Sequence, residues 1–131
     1  MKDKRILLST LWIFAVLNYL YCDVLSFMDH SFLNELLTGK VGDIDMNEGF
    51  LLGASVLMEI SISMVLLSRV LPYRSNRLAN IVAGAITTSA QIASLFVGSA
   101  TIHYVFFSVI EIATTTYIFL MAIKWKETKT D

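Results

Sequence analysis

The stretch GFLLGASVLMEISISMVLLSRVLPYRSNR, residues 49–77, decides the fold because it joins a long apolar run to a short basic turn. Within the apolar part, residues 49–71, only one glutamate and one arginine occur. A helix that crosses a bilayer needs about 20 mostly apolar residues. In lipid, only helices and closed barrels satisfy all backbone hydrogen bonds. Because the run lacks the period-two alternation of a barrel strand, it predicts a transmembrane helix.

Three further runs of this kind lie at residues 6–27, 78–100 and 102–123. The composition agrees, because 56% of the residues are hydrophobic and 16% are charged, whereas soluble domains have about 25% charged residues. The length of 131 residues allows one domain. We therefore predict a single all-α domain over residues 1–131, an integral membrane four-helix bundle with up-down-up-down topology. We expect the first run to remain in the protein, because no small-residue cleavage site follows it.

The basic residues predict the orientation of the bundle. Nine of the ten Lys and Arg residues precede the first run, lie in or next to the predicted short turn at residues 71–77, or follow the fourth run. The positive-inside rule assigns that side to the cytoplasm, so both termini are expected there. The net charge of −1 gives no indication of a nucleic-acid partner, and the expected partner is the lipid bilayer.

The long connection at residues 28–48 has its own pattern. Apolar residues recur at helical spacing from Phe32 to Leu37, after a possible cap at Asp29 and before Gly39. This pattern predicts a short amphipathic helix, which either rests on the outer surface or folds over the mouth of the bundle as a lid. The following acidic residues do not match a calcium-binding loop, so we predict no metal site. Asp43 or Glu48 is expected to cap the second transmembrane helix.

Ionisable and amide side chains inside the predicted spans are the candidate ligand- or proton-binding residues. Such groups are costly in a bilayer and usually face the bundle interior. The candidates are Asn18, Asp23, Glu59, Gln91, His103 and Glu111. Most of them fall in the outer half of the bundle, which predicts a shared polar pocket that opens outward beneath the long connection. Because loss of water disfavours a carboxylate anion, Glu59 and Glu111 are expected to be neutral, hydrogen-bonded and able to exchange a proton.

A purely structural role is the alternative for these residues. A neutral glutamate that hydrogen-bonds to Ser or Thr can simply hold helices together. The third run also has a stripe of small residues, which lets helices approach closely. The stripe consists of Ala79, Ala83, Thr87, Ala90, Ser94 and Gly98. It predicts either packing inside one chain or a homodimer through helix three.

No catalytic pattern is visible in the sequence. It has no nucleophile–base pair, no metal triad and no phosphate-binding glycine loop. Its single cysteine, Cys22, excludes an internal disulfide and a CxxC site. We therefore predict no catalytic residues and no cofactor, and an enzyme is the least favoured function class.

Residues 57–60, 64–81, 95–98 and 106–112 resemble a small family of four-span bacterial membrane proteins of unknown function. The resemblance covers almost the whole chain and implies a bacterial cytoplasmic membrane, but no activity. Small multidrug exporters are similar in size and in having a membrane glutamate, which lies in their first helix, where this chain has only Asp23. Two functions remain open. One is binding or transport of a proton, a cation or a small amphipathic ligand, and the other is an accessory role in which the carboxylates only hold helices together.

Overall fold

The computed structural model describes residues 4–41, 44–96 and 101–126 of the chain, and this part is almost entirely helical. Its elements follow in the order α1 (Lys4–Phe27), α2 (His30–Leu37), β1 (Lys40–Val41), β2 (Ile44–Asp45), α3 (Glu48–Val70), α4 (Tyr73–Ser94) and α5 (Ile102–Lys124). The two short strands pair antiparallel as a hairpin. The predicted all-α class is confirmed, with four long helices and the short helix α2 in the connection.

Side-chain caps explain where the helices of the connection begin and end. The Asp29 carboxylate accepts a hydrogen bond from the Ser31 N–H at 3.1 Å and starts α2. The helix ends before Gly39, whose φ of +84° is a left-handed conformation that favours glycine. At the start of α3, the Asn47 side chain accepts from the Phe50 N–H at 2.8 Å. The prediction that Glu48 caps this helix is wrong, because Glu48 lies inside its first turn; the alternative cap, residue 43, lies outside the described residues.

The third predicted transmembrane segment, residues 78–100, is shifted in the structure. Helix α4 begins at Tyr73 and ends at Ser94. Pro72 directly precedes the helix, and its carbonyl accepts a hydrogen bond from the Asn76 N–H at 2.8 Å. The turn after α3 is therefore only two residues long. The polar residues that we assigned to this turn instead form the first part of the helix, because their side chains find partners inside the bundle.

Helix α1 is central to the packing. It packs against α3 and α5, and α5 packs extensively against α4, whereas the consecutive helices α3 and α4 contact each other less. Helix α4 approaches α5 closely at Gly84, where an added Cβ would lie 3.1 Å from the Phe119 Cβ. The order around the bundle is therefore α3, α1, α5 and α4.

The ends that carry the basic residues meet at one end of the bundle, which we call the basic end. Arg77 donates hydrogen bonds from Nε to the Ala122 carbonyl at 3.0 Å and from Nη2 to the Ile123 carbonyl at 2.8 Å. Further along α4, the Asn80 Oδ1 accepts from the Trp12 indole N–H at 2.8 Å. The hydrophobic core also lies towards this end and consists of Leu8, Trp12, Ala15, Met64, Ala83, Ile118 and Trp125. Polar contacts and the core therefore hold the helices together here.

The distribution of polar and apolar side chains is unlike that of a soluble protein. Among the described residues, buried polar side chains outnumber buried hydrophobic ones, while many large hydrophobic side chains are exposed. Within residues 4–41, 44–96 and 101–126, three helices, α1, α3 and α5, are long and apolar enough to cross a membrane. Extensive exposed apolar surface of this kind marks an interaction with lipid or another protein. These features indicate membrane association, but α4 is not among the three helices that meet the length and hydropathy requirement.

Candidate functional site

A cavity of about 650 Å³ lies at the end of the bundle opposite the basic end. We call it the roofed cavity, because α2 and the hairpin cover it. The roof residues are Phe32, Glu35, Val41, Ile44 and Met46, and all four long helices contribute to the walls. Most of the wall is apolar, and its α3 side is formed by Phe50, Gly53, Ala54 and Leu57. Helix α2 thus borders the cavity through Phe32 and Glu35, while none of its residues is fully buried.

Two of the predicted site residues, Asp23 and His103, line the roofed cavity. The His103 ring is fixed on both sides, with Nε2 3.2 Å from the Ser26 Oγ and Nδ1 3.1 Å from the Thr101 Oγ1. The Asp23 carboxylate has no ion-pair partner in the part of the chain that the structure describes, where the ion pair is Lys40–Asp45. The cavity thus combines a largely apolar wall with the carboxyl groups of Asp23, Asp29 and Glu35 and with an oriented imidazole.

Glu111 does not line the cavity but lies deeper in the bundle. It is eight residues beyond His103 on α5, which corresponds to about 12 Å along the helix axis. Its side chain is 1% exposed, and its Oε2 atom has no hydrogen-bond partner among the described residues. Buried carboxyl oxygens are normally hydrogen-bonded, so this atom is an exception that requires a functional or chemical explanation.

Hydroxyl and amide groups between α4 and α5 connect the wall of the cavity to the level of Glu111. We call this row of contacts the polar seam. The Tyr104 Oη donates to the Ser94 Oγ at 2.5 Å, and both residues line the cavity. One turn deeper, the Gln91 Nε2 donates to the Ser108 Oγ at 2.8 Å.

The polar seam continues past the buried carboxyl group. The Thr88 Oγ1 donates to the Thr115 Oγ1 at 2.7 Å, and the Thr115 hydroxyl also donates to the Glu111 carbonyl at 3.0 Å. Ser108 precedes Glu111 by three residues, so the two side chains are neighbours on one face of α5. The polar seam therefore has one contact in the turn of α5 before Glu111 and another in the turn after it.

The structure separates Glu59 from the other candidates. Glu59 is exposed on α3 and lines a second space of about 470 Å³ between α3 and α4. Its Oε2 accepts a hydrogen bond from the Ser63 Oγ at 3.3 Å, one turn along the same helix. The expected shared pocket therefore does not include Glu59. Helix α3 packs on α1, and its Glu59 face borders this second space, the groove between α3 and α4.

Asn18 also lies apart from the cavity, since its side-chain amide donates to the Phe14 carbonyl of its own helix at 2.8 Å. The small-residue stripe of α4 faces the interior of the chain: Ala83 and Thr87 are buried, and Ala90 and Ser94 line the cavity. Its last member, residue 98, lies outside the described residues. The homodimer through this helix stays a prediction.

Several cavity residues were not singled out from the sequence as site residues. Tyr104 directly follows His103, and Ser26 lies three residues after Asp23 on the same face of α1. This spacing was the available signal, because residues three apart on a helix are neighbours. The roof residues gave no such signal, since their position depends on how α2 folds back over the bundle.

Comparisons with known proteins give one positive result. Neither the curated proteins nor the solved structures include a match to this sequence. The model of one protein family, described as a family of unknown function, matches residues 1–131. Since this match covers the whole chain, the protein belongs to the family of unknown function DUF6326.

Proposed function

We propose that this chain is a four-span protein of a bacterial cytoplasmic membrane that binds or transports a small amphipathic cation in the roofed cavity. The observation that supports this most directly is the cavity itself, which has a cover, largely apolar walls and the carboxylate of Asp23. Ligand pockets are typically about 300–1,000 Å³ and mostly apolar, with a few placed polar groups. The volume of about 650 Å³ falls in this range.

The proposal of four spans requires α4 to lie in lipid although it is the least apolar long helix. Its exposed large hydrophobic side chains are Leu78, Val82, Ile86 and Ile92, and the exposed Arg74 lies in its first turn. Its polar side chains make hydrogen bonds inside the bundle, such as those of Arg77 and Gln91 to α5. Polar groups that are satisfied within a bundle are tolerated at membrane depth, so the outward face of α4 suits lipid. With the basic end in the cytoplasm, the roofed cavity would open to the outer side.

A cationic ligand fits the chemistry of the cavity. Asp23 supplies a negative charge without an ion-pair partner among the described residues, and a charge-assisted hydrogen bond to an ammonium group is about twice as strong as a neutral one. The apolar wall residues, such as Phe50 and Leu57, would bury the hydrocarbon part of the ligand. Each buried CH₂ group contributes about 0.8 kcal/mol.

Binding of a fluorescent dansylated alkylammonium probe to the purified protein in detergent tests the proposal. We expect saturable binding by the wild type, and competition by an alkylammonium ion but much less by the alcohol of equal chain length. Asp23→Asn should weaken binding roughly 10- to 100-fold, because a hydrogen bond to a charged group contributes about 1.5–3 kcal/mol. The matched control is Glu59→Gln, which removes a carboxylate from the separate groove and should leave the affinity unchanged. Equal binding of the alkylammonium ion and the alcohol would contradict a cation site.

An accessory role is the second candidate, in which the polar groups only hold the helices together. The observation in its favour is the polar seam, whose Gln91–Ser108 and Thr88–Thr115 contacts join α4 to α5. Interhelical hydrogen bonds in membranes contribute about 0.6 kcal/mol on average. This role predicts that the Glu111→Gln variant changes the stability or assembly of the protein, with no effect on any bound small molecule.

A further inference from the structure

Glu111 is the buried group that the cavity alone does not explain. Its side chain is 1% exposed, and its Oε2 atom has no hydrogen-bond partner among the described residues. The ionisable groups that interact with it are Tyr19, Cys22 and Asp23 from α1 and Tyr104 from α5. None of these groups is a cation, and the α4 side chains of the polar seam are neutral.

These surroundings favour one chemical form of the carboxyl group. An isolated carboxylate anion is far more costly to bury than a neutral acid, and no ion pair compensates for it within the described parts of the chain. As a neutral acid, Glu111 has one O–H group that can donate to a hydroxyl or a water molecule. Adding a proton to the carboxylate gives the carboxylic acid, and the reverse step releases it, so no other reactant is needed.

The polar seam extends from the wall of the cavity to the level of this group on α5. Tyr104 and Ser94 line the cavity and are hydrogen-bonded to each other. The next contact, from Gln91 to Ser108, reaches the turn of α5 directly before Glu111. Because the Ser108 Oγ already accepts from Gln91, its own hydroxyl proton is available for another acceptor.

We propose that Glu111 is an internal proton-binding site that exchanges its proton with the roofed cavity along the polar seam. This inference goes beyond the proposed function, because it requires no amphipathic ligand and depends on the four-span arrangement only for the side on which the proton enters. A cation bound at Asp23 would favour loss of the proton from Glu111, and a proton on Glu111 would in turn weaken the binding of the cation.

Infrared spectroscopy of the detergent-solubilised protein tests the proton site directly. We expect a carboxylic acid C=O band that is lost in Glu111→Gln and retained in Glu59→Gln. If Glu111→Gln does not fold, Glu111→Asp keeps a carboxyl group and should shift the frequency of this band. A band that survives in Glu111→Gln, or that Glu111→Asp leaves unshifted, would assign the proton to another group and overturn the proposal.

Exchange of the same band in D₂O tests the route. We expect Gln91→Leu to slow the exchange at least tenfold, because an apolar side chain replaces the amide in the polar seam. The matched control is Thr114→Val, since Thr114 is on α5 but its hydroxyl only donates to the Ile110 carbonyl of its own helix. Exchange in Gln91→Leu at the wild-type rate would overturn the route. Alkylammonium binding is measured separately, so a failure of the proton site leaves the result for the cation site unaffected.

Discussion

The contact between Trp12 and Asn80 allows a quantitative test of what holds the basic end together. Both side chains are fully buried, and the indole N–H donates to the Asn80 Oδ1 at 2.8 Å. Asn80 also donates to the Asn76 Oδ1 at 2.7 Å. Asn80→Ala would remove the partner of two buried donors, the Trp12 indole N–H and the Ser68 hydroxyl, and of one buried acceptor, the Asn76 Oδ1. Each unsatisfied group costs about 1–3 kcal/mol, so we expect the free energy of unfolding to fall by at least about 3 kcal/mol.

A double-mutant cycle isolates the single interhelical hydrogen bond. In the Trp12→Phe background the indole N–H is absent, so Asn80→Ala should cost less there than in the wild type. We expect a coupling energy of about 1–2 kcal/mol, which exceeds the average of about 0.6 kcal/mol for interhelical hydrogen bonds in membranes. The reason is that neither side chain is exposed in the folded bundle.

Unfolding by SDS in mixed micelles, followed by circular dichroism, measures these free energies. Asn18→Ala is the control, because this amide donates only to the Phe14 carbonyl of its own helix, and its loss should cost less than about 0.5 kcal/mol. A coupling energy near zero would refute the reasoning, since it would mean that the indole finds an equal partner when Asn80 is removed. A cost for Asn18→Ala equal to that of Asn80→Ala would contradict the assigned difference in burial.

Three further substitutions test local features of the bundle, and protein stability or protease sensitivity measures each. Gly84→Leu should destabilise the bundle by about 1–3 kcal/mol, because even a Cβ here would lie 3.1 Å from Phe119. The control is Gly53→Ala, whose Cβ meets nothing within 4 Å, and it should not lower the free energy of unfolding. Arg77→Gln should lower the unfolding free energy by about 1–3 kcal/mol, because it weakens the two hydrogen bonds to the end of α5, and an unchanged SDS midpoint would contradict this. Asp29→Ala should cost about 0.5–2 kcal/mol of helix stability and speed proteolysis within α2, whereas cleavage at the wild-type rate would argue against the cap.

The existence of α2 and the level of two cavity residues could be predicted from local patterns. The apolar spacing after Asp29 indicated a short helix, and its cap and Gly39 gave its limits. The depth of Asp23 and His103 in their helices placed both near one end of the bundle. These predictions depend only on helical periodicity and capping, which act within a few residues of the chain.

The position of Glu59 could not be predicted in the same way. Its neighbours Ser55 and Ser63 form a polar ridge in the sequence, and such ridges usually face the bundle interior. The interior face of α3 depends on whether α1 or α4 is its main neighbour. Contacts between residues distant in sequence determine this, and in the structure the main neighbour is α1. The limits of α4 were misplaced for a related reason. We took its polar first turns for a loop, although Asn76 and Asn80 are fully buried and hydrogen-bonded there.

The dependence of α4 on α5 has a consequence for biogenesis. During synthesis α4 emerges from the ribosome before α5, carrying Arg77 and Gln91. Their partners at the Ala122 carbonyl and the Ser108 hydroxyl are not yet synthesised at that moment. Leaving these polar groups without partners in lipid would cost several kcal/mol. The proposed four-span arrangement therefore implies that α4 and α5 insert into the bilayer together, as one hairpin.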